Sequence, residues 1–306
     1  MIIPAVLGII FVMFALLYVL PASRISSMTI SGGGDALDKL FSYTNAQRNI
    51  FTQYMRYCYN VFLHFDFGKS SSFPTTIANE LGFRVRYCLA LLGSSLAVTM
   101  LAGVTLGVYI AVHKNTKRDR IINSVLLFFS AIPNYTIAIL LTLYLCVYLR
   151  VLPLMPTYTM PIAFLLPALT LSIGGVASIA RMTRTSMIET LSQPYISALT
   201  AKGLREREVI YKHALKNAMI PVISTLRVLI SRLLFGTLVV EYFFNVPGLG
   251  MYTLRAINSR TNHEMLGCVV VLTLILSGIN LASDILYAFI NPRIKSRYVE
   301  KTSPGK

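Results

Sequence analysis

Apolar residues in this chain gather into long uninterrupted runs, separated by short polar stretches, rather than alternating or following one amphipathic spacing. An α-helix needs about 20 mostly apolar residues to cross about 30 Å of hydrocarbon. Runs of that kind extend from about Ile2 to Leu20, Tyr87 to Val112, Ile121 to Leu149, Pro161 to Ala180, Pro221 to Phe244 and Met265 to Ile290. The pattern predicts an all-α integral membrane protein with about six transmembrane helices. The first run lacks a basic leading region and a small-residue cleavage site, so it reads as a retained helix ending at Pro21. Residues 22–86 are of mixed polarity, with a glycine run at Gly32, Gly33 and Gly34 and an amphipathic helix expected near Ala46 to Phe65. The expected organisation is a first transmembrane helix at 1–21, an extracytoplasmic segment at 22–86, a five-helix core at 87–290 and a cytoplasmic tail at 291–306. Within the core, residues 181–220 form a long cytoplasmic loop.

Composition agrees with this layout. Of 306 residues 55% are hydrophobic and only 13% charged, against about 25% charged in soluble domains, and the mean hydropathy is +0.64. A net charge of +16 would suit nucleic acid, but the basic residues sort into alternate loops, as the positive-inside rule requires. One set holds Lys114, Lys117, Arg118 and Arg120, then the 181–220 loop, then Arg293, Lys295 and Arg297; the opposite set holds only Arg150, Arg255 and Arg260. Both termini and the 181–220 loop are therefore placed in the cytoplasm, with a lipid bilayer and no nucleic acid as surroundings.

Several chemistries lack their residues. No GxxxxGK[ST] phosphate loop occurs. His64, His113, His213 and His263 fall in loops or at span edges, with no metal-type spacing. Glu241 and Asp284, the acidic groups inside the expected spans, sit at opposite depths and make a poor proton relay. The sequence assigns no catalytic, cofactor-binding or metal-binding residue. Gly93–Ser95 reads as small-residue helix packing. Cys58, Cys88, Cys146 and Cys268 are scattered fillers, with a Cys58–Cys88 disulfide left open.

The most hydrophilic long stretch, ALTAKGLREREVIYKHALKNAMIP from Ala198 to Pro221, lies between two spans. A helix ending at Lys202, Gly203 in the left-handed position and a second helix are expected, the latter with Leu204, Val209, Ile210, His213, Ala214 and Met219 near one face. Two uses fit such a hairpin: lying on anionic lipid, or docking into a groove of a cytoplasmic partner.

The tract from Leu166 to Ser224 resembles, nearly end to end, the EAA-loop region of ABC importer permeases of the dipeptide/oligopeptide/nickel family. Asp66–Ser70 (DFGKS), Ser130–Tyr135 (SAIPNY), Pro247–Gly250 (PGLG) and Asn291–Ile294 (NPRI) follow in that family's order, and the long segment after the first span resembles its B-type subunit. The resemblance implies a type I ABC importer permease fold in a bacterial or archaeal inner membrane. It implies half of a translocation pathway for peptides, with nickel or a metal chelate as the alternative cargo and a secondary transporter or receptor as the rival class. It also implies a second homologous permease, two ATP-binding subunits that hold the ATP and Mg, and an extracytoplasmic substrate-binding protein. Tyr195, Ala198, Ala201, Lys202, Gly203 and Glu206 would then meet the ATP-binding subunit. Ser197 stands where the loop's first Glu is usual, and Leu215 and Lys216 replace a later Leu-Pro.

Arg227 and Arg232 fall inside the fifth span, where a central arginine costs about 2.5–3.5 kcal/mol. Arg227 and Asp284 share a depth, so an ion pair between them is expected, with snorkelling of Arg227 as the alternative. Arg232 is deeper and is expected to face a watery pathway or the partner permease, where it can meet a cargo carboxylate. Gly82–Arg84 and Arg260–His263 depart from the family's usual external motifs and leave the cargo open.

Overall fold

The computed structural model describes residues 2–19, 50–70, 73–152, 164–259 and 261–290. Pro21–Arg24, Gly32–Gly34, Pro161, Arg260 and the 291–306 tail with its Asn291–Ile294 motif lie outside the described residues. The helices are α1 (Ile2–Val19), α2 (Ile50–His64), α3 (Ile77–Val112), α4 (Lys117–Ala131), α5 (Asn134–Leu141), α6 (Leu165–Leu191), α7 (Pro194–Ala201), α8 (Leu215–Phe243), α9 (Leu249–Asn258) and α10 (Asn262–Ile290). π-helical turns extend α5 through Thr142–Tyr148 and lead into α8 through Val209–Ala214. Among the described residues the β-pairing is an isolated bridge between Lys69 and Thr76.

Four stretches, namely α3, α6, Glu206–Phe243 and Asn262–Ile285, are long and apolar enough to cross a membrane. The span expected from Ile121 to Leu149 is instead a pair, α4 and α5 with its π-turn, bent by 101°. Pro133 causes the break. Proline pushes the preceding residue out of the helical region and has no N–H to donate. Ile132 accordingly sits at φ −80°, ψ 130°, and Pro133 at φ −61°, ψ 142° opens the next helix. The apolar part of α1, Val6–Leu17, is shorter than the run read from sequence. The described residues thus hold four spanning helices, or five with the bent pair, where about six were expected.

The chain divides into two compact units. One comprises residues 1–86 and 247–277. Here α2 forms within the expected amphipathic stretch and packs on α1: the Tyr54 hydroxyl donates to the Leu7 carbonyl at 2.8 Å, and its ring meets Phe11 edge-on at 5.2 Å. After α2 the chain turns at Gly68, whose φ of 91° suits glycine and whose N–H donates to Asp66 at 2.9 Å. Buried Arg84 bonds Glu80 through Nε at 3.2 Å and Nη2 at 2.9 Å and lies over the Tyr252 ring at 4.4 Å. Buried Glu264 accepts from Ser70 Oγ at 2.7 Å and Thr261 Oγ1 at 3.0 Å. Each buried charge is thereby hydrogen-bonded, as burial demands.

The other unit comprises residues 87–246 and 278–306, with α6 at its centre. A Cβ on Gly103 would lie 2.8 Å from Ile179 Cβ, and one on Gly107 2.5 Å from Thr183 Cβ and 2.7 Å from the Ala180 carbonyl oxygen. These two glycines, spaced GxxxG, allow the α3 backbone to approach α6. Within the Gly93–Ser95 tract, Ser95 is fully buried as small-residue packing expects, whereas Gly93 is exposed with no neighbouring atom where its Cβ would be. At the polar end, Thr116 caps α4 by accepting from the Asp119 N–H. Asp119 in turn receives Arg184 Nε at 2.8 Å and Nη2 at 2.6 Å. Cys58 and Cys88 are both thiols.

Candidate functional site

The polar hairpin is held by its apolar side. Ile196 of α7 and Val209, Ile210 and Ala214 of the π-turn are buried with Val108, Ala111, Met187 and Ala218, which come from α3, α6 and α8. Leu199 and Leu204 pack against the same cluster. Burying an aliphatic side chain contributes about 1.5–3 kcal/mol, so this core is the main source of order in the hairpin.

The turn is a Schellman motif. Lys202 caps α7, Gly203 takes φ 82°, the Gly203 N–H bonds the Thr200 carbonyl at 2.9 Å, and the Leu204 N–H reaches the Leu199 carbonyl at 3.4 Å. Pro194 occupies the first turn of α7, where a missing N–H costs nothing.

With the apolar residues turned inward, the predicted coupling residues are left outside. Tyr195, Ala198, Ala201, Lys202, Gly203 and Glu206 are all exposed, and nothing lies within 4 Å of where a Gly203 Cβ would be. They form an elbow with small residues between an aromatic and a charge. The Tyr195 hydroxyl accepts from Asn217 Nδ2 at 2.9 Å, which braces α7 against α8. Tyr211, on the adjoining π-turn, is 61% exposed and was not singled out in the sequence. Its signal is a lone aromatic among charges, which a surface helix has no packing reason to carry.

The intramembrane charges fall in two places. Arg227 Nη1 donates to Asp284 Oδ1 at 2.9 Å and its Nε to Asn280 Oδ1 at 3.3 Å, which links α8 to α10. Arg232 lies elsewhere on α8, lining a half-open cavity of about 630 Å³ between α6 and α8. Arg181, Ser178, Thr185, Ser224 and Thr225 supply the other polar groups of that cavity. Sequence reasoning found Arg232 but not Arg181, which read as a loop cation because α6 was expected to end at Ala180 and instead continues to Leu191.

A helical membrane permease subunit, with a buried-core elbow on one face and a charged groove between its long helices, is the class that this architecture defines. The chain belongs to the binding-protein-dependent transport system inner membrane component family, whose description matches it over residues 103–296. It is 35% identical over 286 residues to the dipeptide transport system permease protein DppB of Bacillus subtilis, a match covering 92% of this chain and 91% of that one. It is 32% identical over 246 residues to the glutathione transport system permease protein GsiC of Escherichia coli O1:K1 / APEC, covering 80% of each. Its fold is similar to a chain of the MetNI methionine ABC transporter in an inward-facing conformation, with a TM-score of 0.55 at 17% identity over 67% of this chain and 95% of that one. The chain is thus a multi-pass inner-membrane permease subunit of an ABC importer and a transport protein rather than an enzyme.

Proposed function

We infer that this subunit forms half of a translocation pathway for short peptides and is driven through its cytoplasmic elbow by separate ATP-binding subunits. Two such subunits, a second homologous permease and an extracytoplasmic substrate-binding protein complete the importer, and both termini of this chain face the cytoplasm. The observation that carries the reading is the elbow itself: a Schellman turn at Gly203 on a buried apolar base, with Tyr195, Ala198, Ala201, Lys202 and Glu206 presented outward. A short helix of this kind, rigidly tied to α3, α6 and α8, can transmit a push only if its partner grips it differently in two states. Ala198 and Ala201 leave room for a close-fitting groove, and the basic inner loops supply the orientation.

Peptides are preferred to nickel because the relatives named for a cargo carry dipeptides or glutathione. The unpaired cations of the α6–α8 cavity also oppose a bare divalent metal. Uptake by proteoliposomes holding the assembled importer tests this. A labelled dipeptide should enter only with ATP and binding protein, and excess nickel should not compete. Uptake driven by a proton gradient through this chain alone, or inhibition by nickel at equal concentration, would overturn it.

A further inference from the structure

The four arginines of α6 and α8 are treated unequally. Arg184 is neutralised by Asp119 and Arg227 by Asp284. Among the described residues Arg181 and Arg232 have no acidic partner, and Arg181 Nε bonds only the Ala177 carbonyl of its own helix at 3.3 Å. Both line the same cavity of about 630 Å³, whose remaining polar lining is the hydroxyls of Ser178, Thr185, Ser224 and Thr225. Among the described residues no carboxylate faces it. Ser224 and Thr225 already donate their hydroxyl protons to the Pro221 and Val222 carbonyls at 2.6 and 2.7 Å, so the cavity presents two fixed cations and the hydroxyls of Ser178 and Thr185, and lacks an anion among the described residues.

Depth decides what kind of anion belongs there. Arg232 lies eleven residues past Pro221, about 16 Å along a helix rising 1.5 Å per residue, or about half way across a 30 Å hydrocarbon core. A lipid phosphate stays at the interface and cannot follow it there. A solute moving through the pathway can.

We propose that Arg181 and Arg232 form a carboxylate-binding station in the α6–α8 cavity, which receives the C-terminal carboxylate of a peptide in transit. This rests on the peptide-import reading and adds the recognition chemistry to it. A guanidinium fork matches a carboxylate's two oxygens. Two of them line this one cavity, and together they replace part of the hydration that a carboxylate loses on entering it.

The test uses the assembled, nucleotide-free importer in non-ionic detergent without its binding protein, so that neither lipid phosphate nor upstream selection contributes. Binding of dialanine and of its C-terminal amide is measured by saturation-transfer NMR for wild type, Arg232→Gln, Arg181→Gln and Arg232→Lys. Wild type should prefer the free acid, and each Gln variant should weaken the acid about tenfold, the order expected for one charged hydrogen bond. The amide should be unchanged, and Arg232→Lys should keep part of the preference. Equal binding of acid and amide by wild type, or an equal loss of both in the Gln variants, would overturn the station and assign these arginines to packing or to the partner permease. Wild-type proteoliposome uptake separates the two failures: if binding protein and ATP drive neither peptide form inward, peptide import itself is wrong, whereas uptake with no acid preference in the cavity sinks only the station.

Discussion

Asp119 shows how one residue serves both a helix end and an ion pair. Its carboxylate accepts the Asn115 N–H at 3.0 Å while holding the Arg184 fork, so it fixes the start of α4 against α6. It lies ahead of the apolar stretch, and hydrogen bonding from Arg184 depresses its pKa below the ordinary carboxylate value despite an opposing effect of burial. A depressed carboxylate stabilises the fold fully above its unfolded pKa of about 3.9, and that contribution is lost as the pH falls through the folded value. Asp119→Asn should therefore lower stability by about 1–3 kcal/mol at pH 7. It should also remove the part of acid unfolding below about pH 4 that this pair causes. Thermal melting of the purified importer against pH checks both, and an unchanged melting point at pH 7 would remove Asp119 from the account.

At the scale of elements, the approach of α3 to α6 depends on two missing side chains. Gly107→Leu would drive a side chain into Thr183 and the Ala180 carbonyl, where even a Cβ stands at 2.5 and 2.7 Å. Over-packing of this kind costs about 1–3 kcal/mol, and the separation should reach the hairpin core, because Val108 and Ala111 of α3 belong to it. Gly93→Leu, with open space at that Cβ, is the control: melting curves should fall for the first and hold for the second, and equal losses would contradict the packing. These elements were unevenly legible in the sequence. The helix ending at Lys202 could be read because glycine after a basic last turn is a local signal with a local cause. Pro133 also stood in plain view, but a bend inside an apolar run competes with hydrophobicity, and the run alone gives no angle. The Gly103–Gly107 spacing was present too, yet which glycine meets a neighbour depends on helix register, which Gly93 and Gly107 share no local means of reporting.

At the scale of the whole molecule, hydropathy disclosed a helical integral membrane protein, because length and burial in lipid leave few alternatives to helices, and the resemblance of Leu166–Ser224 supplied the permease. The α6–α8 cavity stayed hidden for the opposite reason. Arg181 and Arg232 belong to different helices, and that both line one cavity follows from the packing of α6 on α8, which contacts such as Ser186 Oγ to the Ala218 carbonyl at 2.8 Å hold in place. The elbow joins these scales: one left-handed glycine, one short helix and a core shared with three long helices. Its proposed role is to be gripped by a motor held in other subunits. The most direct measurement is the amount of ATP-binding subunit that co-purifies with tagged Gly203→Val, compared with wild type. At φ 82° a β-branched side chain strains the turn by about 1–3 kcal/mol, while the buried cluster beneath keeps the permease folded. The account predicts that the ATP-binding subunits are largely lost and peptide uptake falls at least about tenfold, with the permease still recovered in the membrane; full retention of those subunits together with normal uptake would contradict it.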